Sequence, residues 1–225
     1  DSRSPESTTI QVDLNDDLRR KGLVWYPLYD VSFDGAWTYT HQRTEAGALA
    51  IHFDFPDAQG FYDGFQLIVD GVDRAGELTP QNGSVMVHIP VEPGQTVTLA
   101  ARYKSRGMGE WTYRPADGVA SLENFAFAMT TDFADIDFPH QTMSPSTKTA
   151  TEGGWTLDWT FDRVVTGHGM GMVVPHPIQP GELATELSVS APVSLLFFFV
   201  VIYVLSVLRG IDIHPLNYLL MAGAF

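Results

Sequence analysis

From Thr8 to about Val189 the chain alternates apolar and polar residues with a period of two, the pattern of a strand with one buried and one wet face. Val31, Phe33, Trp37 and Tyr39 share parity, as do Ile51, Phe53 and Phe55 opposite His52 and Asp54. Val85, Val87 and Ile89 interleave with Ser84, Met86 and His88. Val97, Leu99, Ala101 and Tyr103 alternate with Thr96, Thr98, Ala100 and Arg102, and Trp155, Leu157, Trp159 and Phe161 with Thr156, Asp158 and Thr160. Turn pairs separate the runs: Asp34-Gly35, Asp63-Gly64, Asp70-Gly71, Asn82-Gly83, Pro93-Gly94, Asp117-Gly118 and Gly153-Gly154. After a short start at 1–7, the pattern predicts a mainly β, antiparallel, sandwich-like domain over residues 8–185. Pro27 cannot donate to a ladder, so its strand is expected at an edge or with a bulge. Asn15 to Arg20 is the one helix-like window, too short to persist alone.

The pattern then changes. Between Val164 and Leu183, glycines and prolines crowd around His168 and His176, which predicts a loop descending from the β domain. From Leu187 to Leu208 no side chain ionises except the Tyr203 phenol. As a helix this run is roughly 33 Å long, against a hydrocarbon core of about 30 Å. Thirteen residues between Val193 and Leu208 are Leu, Ile, Phe or Val, which favours insertion by about 4–8 kcal/mol before polar costs. A transmembrane helix is therefore expected over 187–208, with Ser190-Ala191-Pro192 supplying its cap and first turn. Residues 209–215 form a short loop, and a second transmembrane helix begins over 216–225. His214-Pro215 is a suitable start for it, the imidazole bonding a free backbone N–H or a lipid phosphate. Pro192, Arg209, His214 and Pro215 thus fall at the membrane interface. Arg209 follows the first helix directly, so the positive-inside tendency puts the loop in the cytoplasm and the β domain outside it. The sequence opens on Asp1 and the second apolar run is still rising at Phe225, as in a piece of a longer protein.

Composition narrows the function. A formal net charge of −14, with 13 Lys and Arg spread along the chain, argues against nucleic acid as a partner. Cys is absent, removing thiolate nucleophiles and Cys-type zinc sites. Asp132, Asp135 and Asp137 are the richest acidic cluster. A hydrolase using Asp132 and Asp137 is a possible reading, but one strand or turn does not hold two carboxylates across a sugar. Of the seven histidines, none pairs at i and i+2. His140, His168 and His176 are the set that loops could gather around a metal, with surface roles the default. Phe61, Tyr62, Trp111 and Tyr113 lie beside turns and are the best candidates for rings exposed to a glycan. Phe33, Trp37 and Tyr39 share the parity of Val31 and are expected in the core. Arg102, Lys104 and Arg106 form a cationic stripe on a wet face. No phosphate loop or Gly-x-Ser-x-Gly elbow occurs. No cofactor or metal is expected.

Several segments together resemble the CreD family of bacterial inner-membrane proteins. They are Lys21-Gly22-Leu23-Val24-Trp25-Tyr26-Pro27, Thr130 to Pro139, Ala191-Pro192-Val193-Ser194-Leu195-Leu196-Phe197-Phe198, Leu208-Arg209-Gly210 and Ile213-His214-Pro215-Leu216-Asn217-Tyr218. The likeness implies an extracytoplasmic β domain held at the inner membrane between an anchor helix and a helix cluster. It implies a non-catalytic role in cell-envelope integrity, with the lipid bilayer and an envelope protein or cell-wall glycan as partners. A membrane-anchored carbohydrate-binding domain is the main rival reading.

Overall fold

The structure, a computed structural model, describes residues 4–116, 118–177, 179–211 and 213–224. Residues 1–3 of the expected start, Asp117 of one expected turn and Phe225 of the second apolar run lie outside the described residues. Two compact units form, one of Asp1–Arg20 with Trp25–His176, the other of Lys21–Val24 with Pro177–Phe225.

The first unit is built from strands β1 (Ser7–Lys21), β2 (Val24–Thr40), β3 (Gly47–Asp54), β4 (Phe61–Val69), β5 (Val72–Asp73), β6 (Thr79–Gln81) and β7 (Ser84–Val91). It continues with β8 (Thr96–Met108), β9 (Glu110–Tyr113), β10 (Ala120–Thr131), β11 (Thr147–Ala150), β12 (Trp155–Thr166) and β13 (Met170–Val173). One eight-stranded sheet runs β11-β12-β10-β1-β2-β8-β4-β5; the others are β3-β7-β6 and β13-β9. The mainly β architecture is that expected from the alternation. The helix-like window at Asn15 to Arg20 is instead part of β1.

Parity decides the core. Ile10, Val12 and Leu14 of β1 and Phe125, Phe127 and Met129 of β10 are all buried. Their register aligns Ile10 with Phe127 and Val12 with Met129. Leu157 and Trp159 of β12 continue the row. The β1–β10 pairing is parallel, which makes the large sheet mixed rather than wholly antiparallel. Both kinds of pair with one wet face show the same period, so alternation cannot distinguish them. Ile51, Val87 and Ile89 of the three-stranded sheet, and Trp111, Met170 and Met172 of the two-stranded one, join the same core.

Pro27 is the first correction. Its strand is interior, between β1 and β8, and tolerates the proline because pairing with β8 begins only at Leu28 opposite Met108. The second lies in the expected descent, where Met170 to Val173 forms β13 against β9. Gly171 permits this approach: a Cβ there would overlap the Trp111 carbonyl oxygen.

In the second unit, helix α1 (Pro180–Arg209) starts well before the expected Leu187, and the β domain ends near His176 rather than at 185. Pro180 takes the first-turn position assigned from sequence to Pro192. Pro192 instead lies inside the helix, where it deprives the Ser188 carbonyl of its usual donor. Gly210, at φ 62°, closes α1 in the left-handed conformation, and Ile211 N–H reaches back to the Ser206 carbonyl (3.0 Å). Helix α2 (Pro215–Ala224) follows.

Candidate functional site

The candidate glycan platform does not assemble. The Trp111 ring is 3% exposed and stacks toward Phe127, with centroids 6.4 Å apart. Tyr113 also packs against Phe127 (5.8 Å) at the margin of the core. Tyr62 stacks on Phe55 (4.2 Å), and its hydroxyl donates to the Asp57 carbonyl (2.8 Å) while accepting from the Asp57 N–H (2.9 Å). Only Phe61 presents a ring freely to solvent, 69% exposed. The correction has a simple cause. Trp111 and Tyr113 sit beside a turn, but β9 is paired with β13, where Met172 stands opposite Trp111 and Met170 opposite Tyr113, and both methionines are buried in the core.

What the rings build is a buried aromatic seam. Phe33 stacks on Tyr103 (4.7 Å) and packs edgewise on Phe53 (6.3 Å), joining the large sheet to the three-stranded one. Four tyrosines lie along it, and burial raises the pKa of each. Tyr29 is pushed up to about 12, Tyr103 and Tyr113 further, and Tyr62 less. Tyr29 donates to the Glu110 carbonyl (2.9 Å), whereas the Tyr103 hydroxyl and the Trp111 indole nitrogen are buried without a partner.

The carboxylates are dispersed. Asp132 accepts from the Asp16 N–H (2.8 Å), and Asp137 accepts from the Phe138 N–H (2.8 Å). Partial burial, then the Asp132 charge, raises the Asp16 pKa. Asp132, Asp135 and Asp137 are all exposed, on a surface segment rather than across a cleft. Among the described residues no three His, Asp or Glu side chains gather as a metal site, so His140, His168 and His176 do not converge. The cationic stripe is largely paired, Arg102 with Asp34 (2.8 Å) and Arg106 with Asp30 (2.7 Å). An open depression of about 330 Å³ is lined by Glu6, Tyr39, Thr40, Gln42, Ser121 and Glu123, among others. Its carboxylates are engaged: Thr40 and Gln42 donate to Glu6 (2.9 and 3.4 Å), and Arg163 pairs with Glu123 (2.7 Å).

The strongest functional feature is therefore α1. Leu183–Arg209 is long and apolar enough to cross a bilayer, with a mean hydropathy of 2.6 in its most apolar window, none of which is buried. Leu196, Phe197, Val200, Val201, Leu205 and Leu208 are all more than half exposed. Three hydroxyls on the helix turn inward on its backbone: Thr185, Ser188 and Ser206 donate to the carbonyls four residues earlier (2.9, 2.7 and 2.7 Å). At α2, His214 Nδ1 accepts from the Leu216 N–H (3.2 Å), satisfying one of the first-turn donors. The geometry defines a β domain joined to a helix that could span a membrane.

No family model matches the chain, and no curated protein matches it either. Among solved structures it is similar in fold to a candidate nutrient-binding protein of Legionella pneumophila, at 9% identity and a TM-score of 0.54. The likeness covers 76% of this chain and 66% of that one. The chain thus spans just under two thirds of that neighbour's length, and at such identity the likeness concerns the fold alone.

Proposed function

We propose that this chain is a non-catalytic, membrane-anchored envelope protein of the CreD type, with its β domain on the extracytoplasmic side of a bacterial inner membrane. One observation carries the reading: an apolar helix of membrane-spanning length whose side chains have no fold to bury them. Water cannot cover such a surface cheaply, and lipid can. At about 45 Å, α1 exceeds the roughly 30 Å hydrocarbon core, so its hydroxyl-bearing first turns extend into the headgroup region. Arg209 at the other end favours the cytoplasm. The CreD assignment rests on the sequence segments alone. Sugar stacking is not favoured, because Trp111 belongs to the core.

Membrane fractionation with alkaline extraction, combined with reporter fusions, tests the placement. The full chain should stay with the membrane, alkaline phosphatase joined after His176 should be active, and the same reporter after Ile213 should be inactive. Release of the intact chain as a monodisperse particle without detergent would overturn the anchor. Unchanged detergent sensitivity in a deletion strain would overturn the envelope role.

A further inference from the structure

Most sheet ends in the β domain are blunted. Among the described residues the large sheet closes on β11, four residues long and carrying Lys148, and on β5, two residues long. The three-stranded sheet closes on one side with β6, three residues that include Pro80. Its other end is β3, eight residues long, with no proline and no Asp, Glu, Lys or Arg before Asp54. Short strands, lysines and prolines keep sheet edges from pairing with other chains, and β3 uses none of them. The ladder fixes which way its backbone points. Phe55 N–H donates to the Gly83 carbonyl (3.0 Å), in the register that sets Phe53 opposite Val85, Ile51 opposite Val87 and Leu49 opposite Ile89. Those residues therefore bond to β7, and the N–H and C=O groups of Ala48, Ala50, His52 and Asp54 point the other way. Pro90, opposite Ala48, fits this parity, since it has no N–H to give β3. Ala48, Ala50, His52 and Asp54 are all exposed, so the edge is open to solvent.

We propose that β3 is a dimerisation edge, on which a second copy of this chain lays its own β3 antiparallel about a two-fold axis through Ala50, so that the two three-stranded sheets continue into one another. The strand suits itself as a partner. In this register Ala50 meets Ala50 and Ala48 stands opposite His52, so the outward backbone groups of all three find donors and acceptors. Leu49 falls opposite Ile51 on the core side, and the two-fold axis, perpendicular to the sheet, keeps the row of Leu49, Ile51 and Phe53 on one face in both copies. The two Asp54 carboxylates lie at opposite ends of the paired stretch, about 27 Å apart at the rise of an extended strand, so like charges do not meet. One strand edge is a small contact, and chains held in a common bilayer by α1 meet at a raised effective concentration. That last step rests on α1 spanning the bilayer; the fit of the strand to itself does not.

The chain has no cysteine, so single sites can be placed at will. In phosphatidylcholine vesicles, full-length Ala50→Cys should form a covalent dimer under mild oxidation, because directly opposed residues of a hydrogen-bonded pair hold their Cα atoms about 5.5 Å apart, within disulfide reach. Thr149→Cys, on the short edge β11, should stay monomeric under the same oxidation. A fluorophore on Thr149→Cys then counts copies by photobleaching: two steps with β3 unaltered, one step after Ala50→Pro or Ala50→Lys is added. Proline removes an N–H that β7 does not use, and lysine sets like charges on the axis without touching the backbone, so both should keep the β-sheet circular dichroism signal. Single steps throughout, with the chain still in the membrane, overturn the pairing and leave the anchor standing. Two steps that persist in both variants put the contact elsewhere and overturn the edge. Dimers that leave the membrane in alkali without detergent uphold the pairing and overturn the anchor. Single steps in pure vesicles, with Ala50→Cys cross-linking to a different protein in native membranes, would assign the edge to a foreign strand and overturn self-pairing.

Discussion

At single positions, burial decides what a residue does more than its chemistry suggests. Trp111 has the ring and the turn-side location of a ligand contact, yet it is walled in by Phe127 and β13. Trp111→Ala should cost about 3–5 kcal/mol in denaturant unfolding, as expected for emptying a buried aromatic site. Phe61→Ala should change stability by no more than about 0.5 kcal/mol, because its ring contributes little to the core. Glycines act through contact at the same scale. At Gly154 a Cβ would overlap the Thr131 carbonyl oxygen, so the turn that admits Trp155 to β12 depends on an absent side chain. The Gly153-Gly154 pair was legible as a turn, but its close packing against Thr131 was not, because the partner lies more than twenty residues away.

Elements show where a local pattern is sufficient and where it fails. The tyrosine seam joining β2, β4, β8 and β9 makes a pH prediction with a definite sign. Tyr29, Tyr62, Tyr103 and Tyr113 have folded-state pKa values raised above their unfolded value of 10.0, chiefly by burial. Above pH 10 the unfolded chain therefore loses protons that the folded one keeps, and stability falls as pH rises toward and beyond 12. Tyrosinate absorbance should lag at first and then rise together with loss of the β-sheet circular dichroism signal. For α1, Val200→Arg should cost about 3–4 kcal/mol of insertion free energy, read as a larger alkali-extractable fraction. The apolar run marked this helix plainly. Its start was hidden, because Pro180 and Pro192 are both acceptable first-turn prolines in sequence. A proline inside a lipid-facing helix is tolerated where hydroxyls and neighbouring groups compensate the backbone.

Across the whole molecule, acidity is the dominant long-range force. A net charge of −14 repels itself in the compact state. Raising salt from about 0.01 M to about 1 M shortens the Debye length from roughly 30 Å to 3 Å. Thermal unfolding in nonionic detergent should accordingly move to higher temperature, by about 2–4 °C for each kcal/mol of repulsion relieved. The exposed pairs Arg102–Asp34 and Arg106–Asp30 weaken under the same screening, but each is worth little. At this scale the sequence disclosed a β domain followed by an apolar helix, because period and hydropathy are local properties. It did not disclose which strands meet. The alternation of Ile10, Val12 and Leu14 is as compatible with an antiparallel neighbour as with β10.

That parallel union of the first and tenth strands also governs the order in which the chain can mature. β1 leaves the ribosome more than a hundred residues before Phe125 to Thr131 exist to close its far side. Until they arrive, a hairpin of β1 with β2 has a bare, sticky flank. Synthesis must therefore outrun adhesion to other chains, and a stall just short of Thr131 would be the most hazardous moment in this protein's biogenesis.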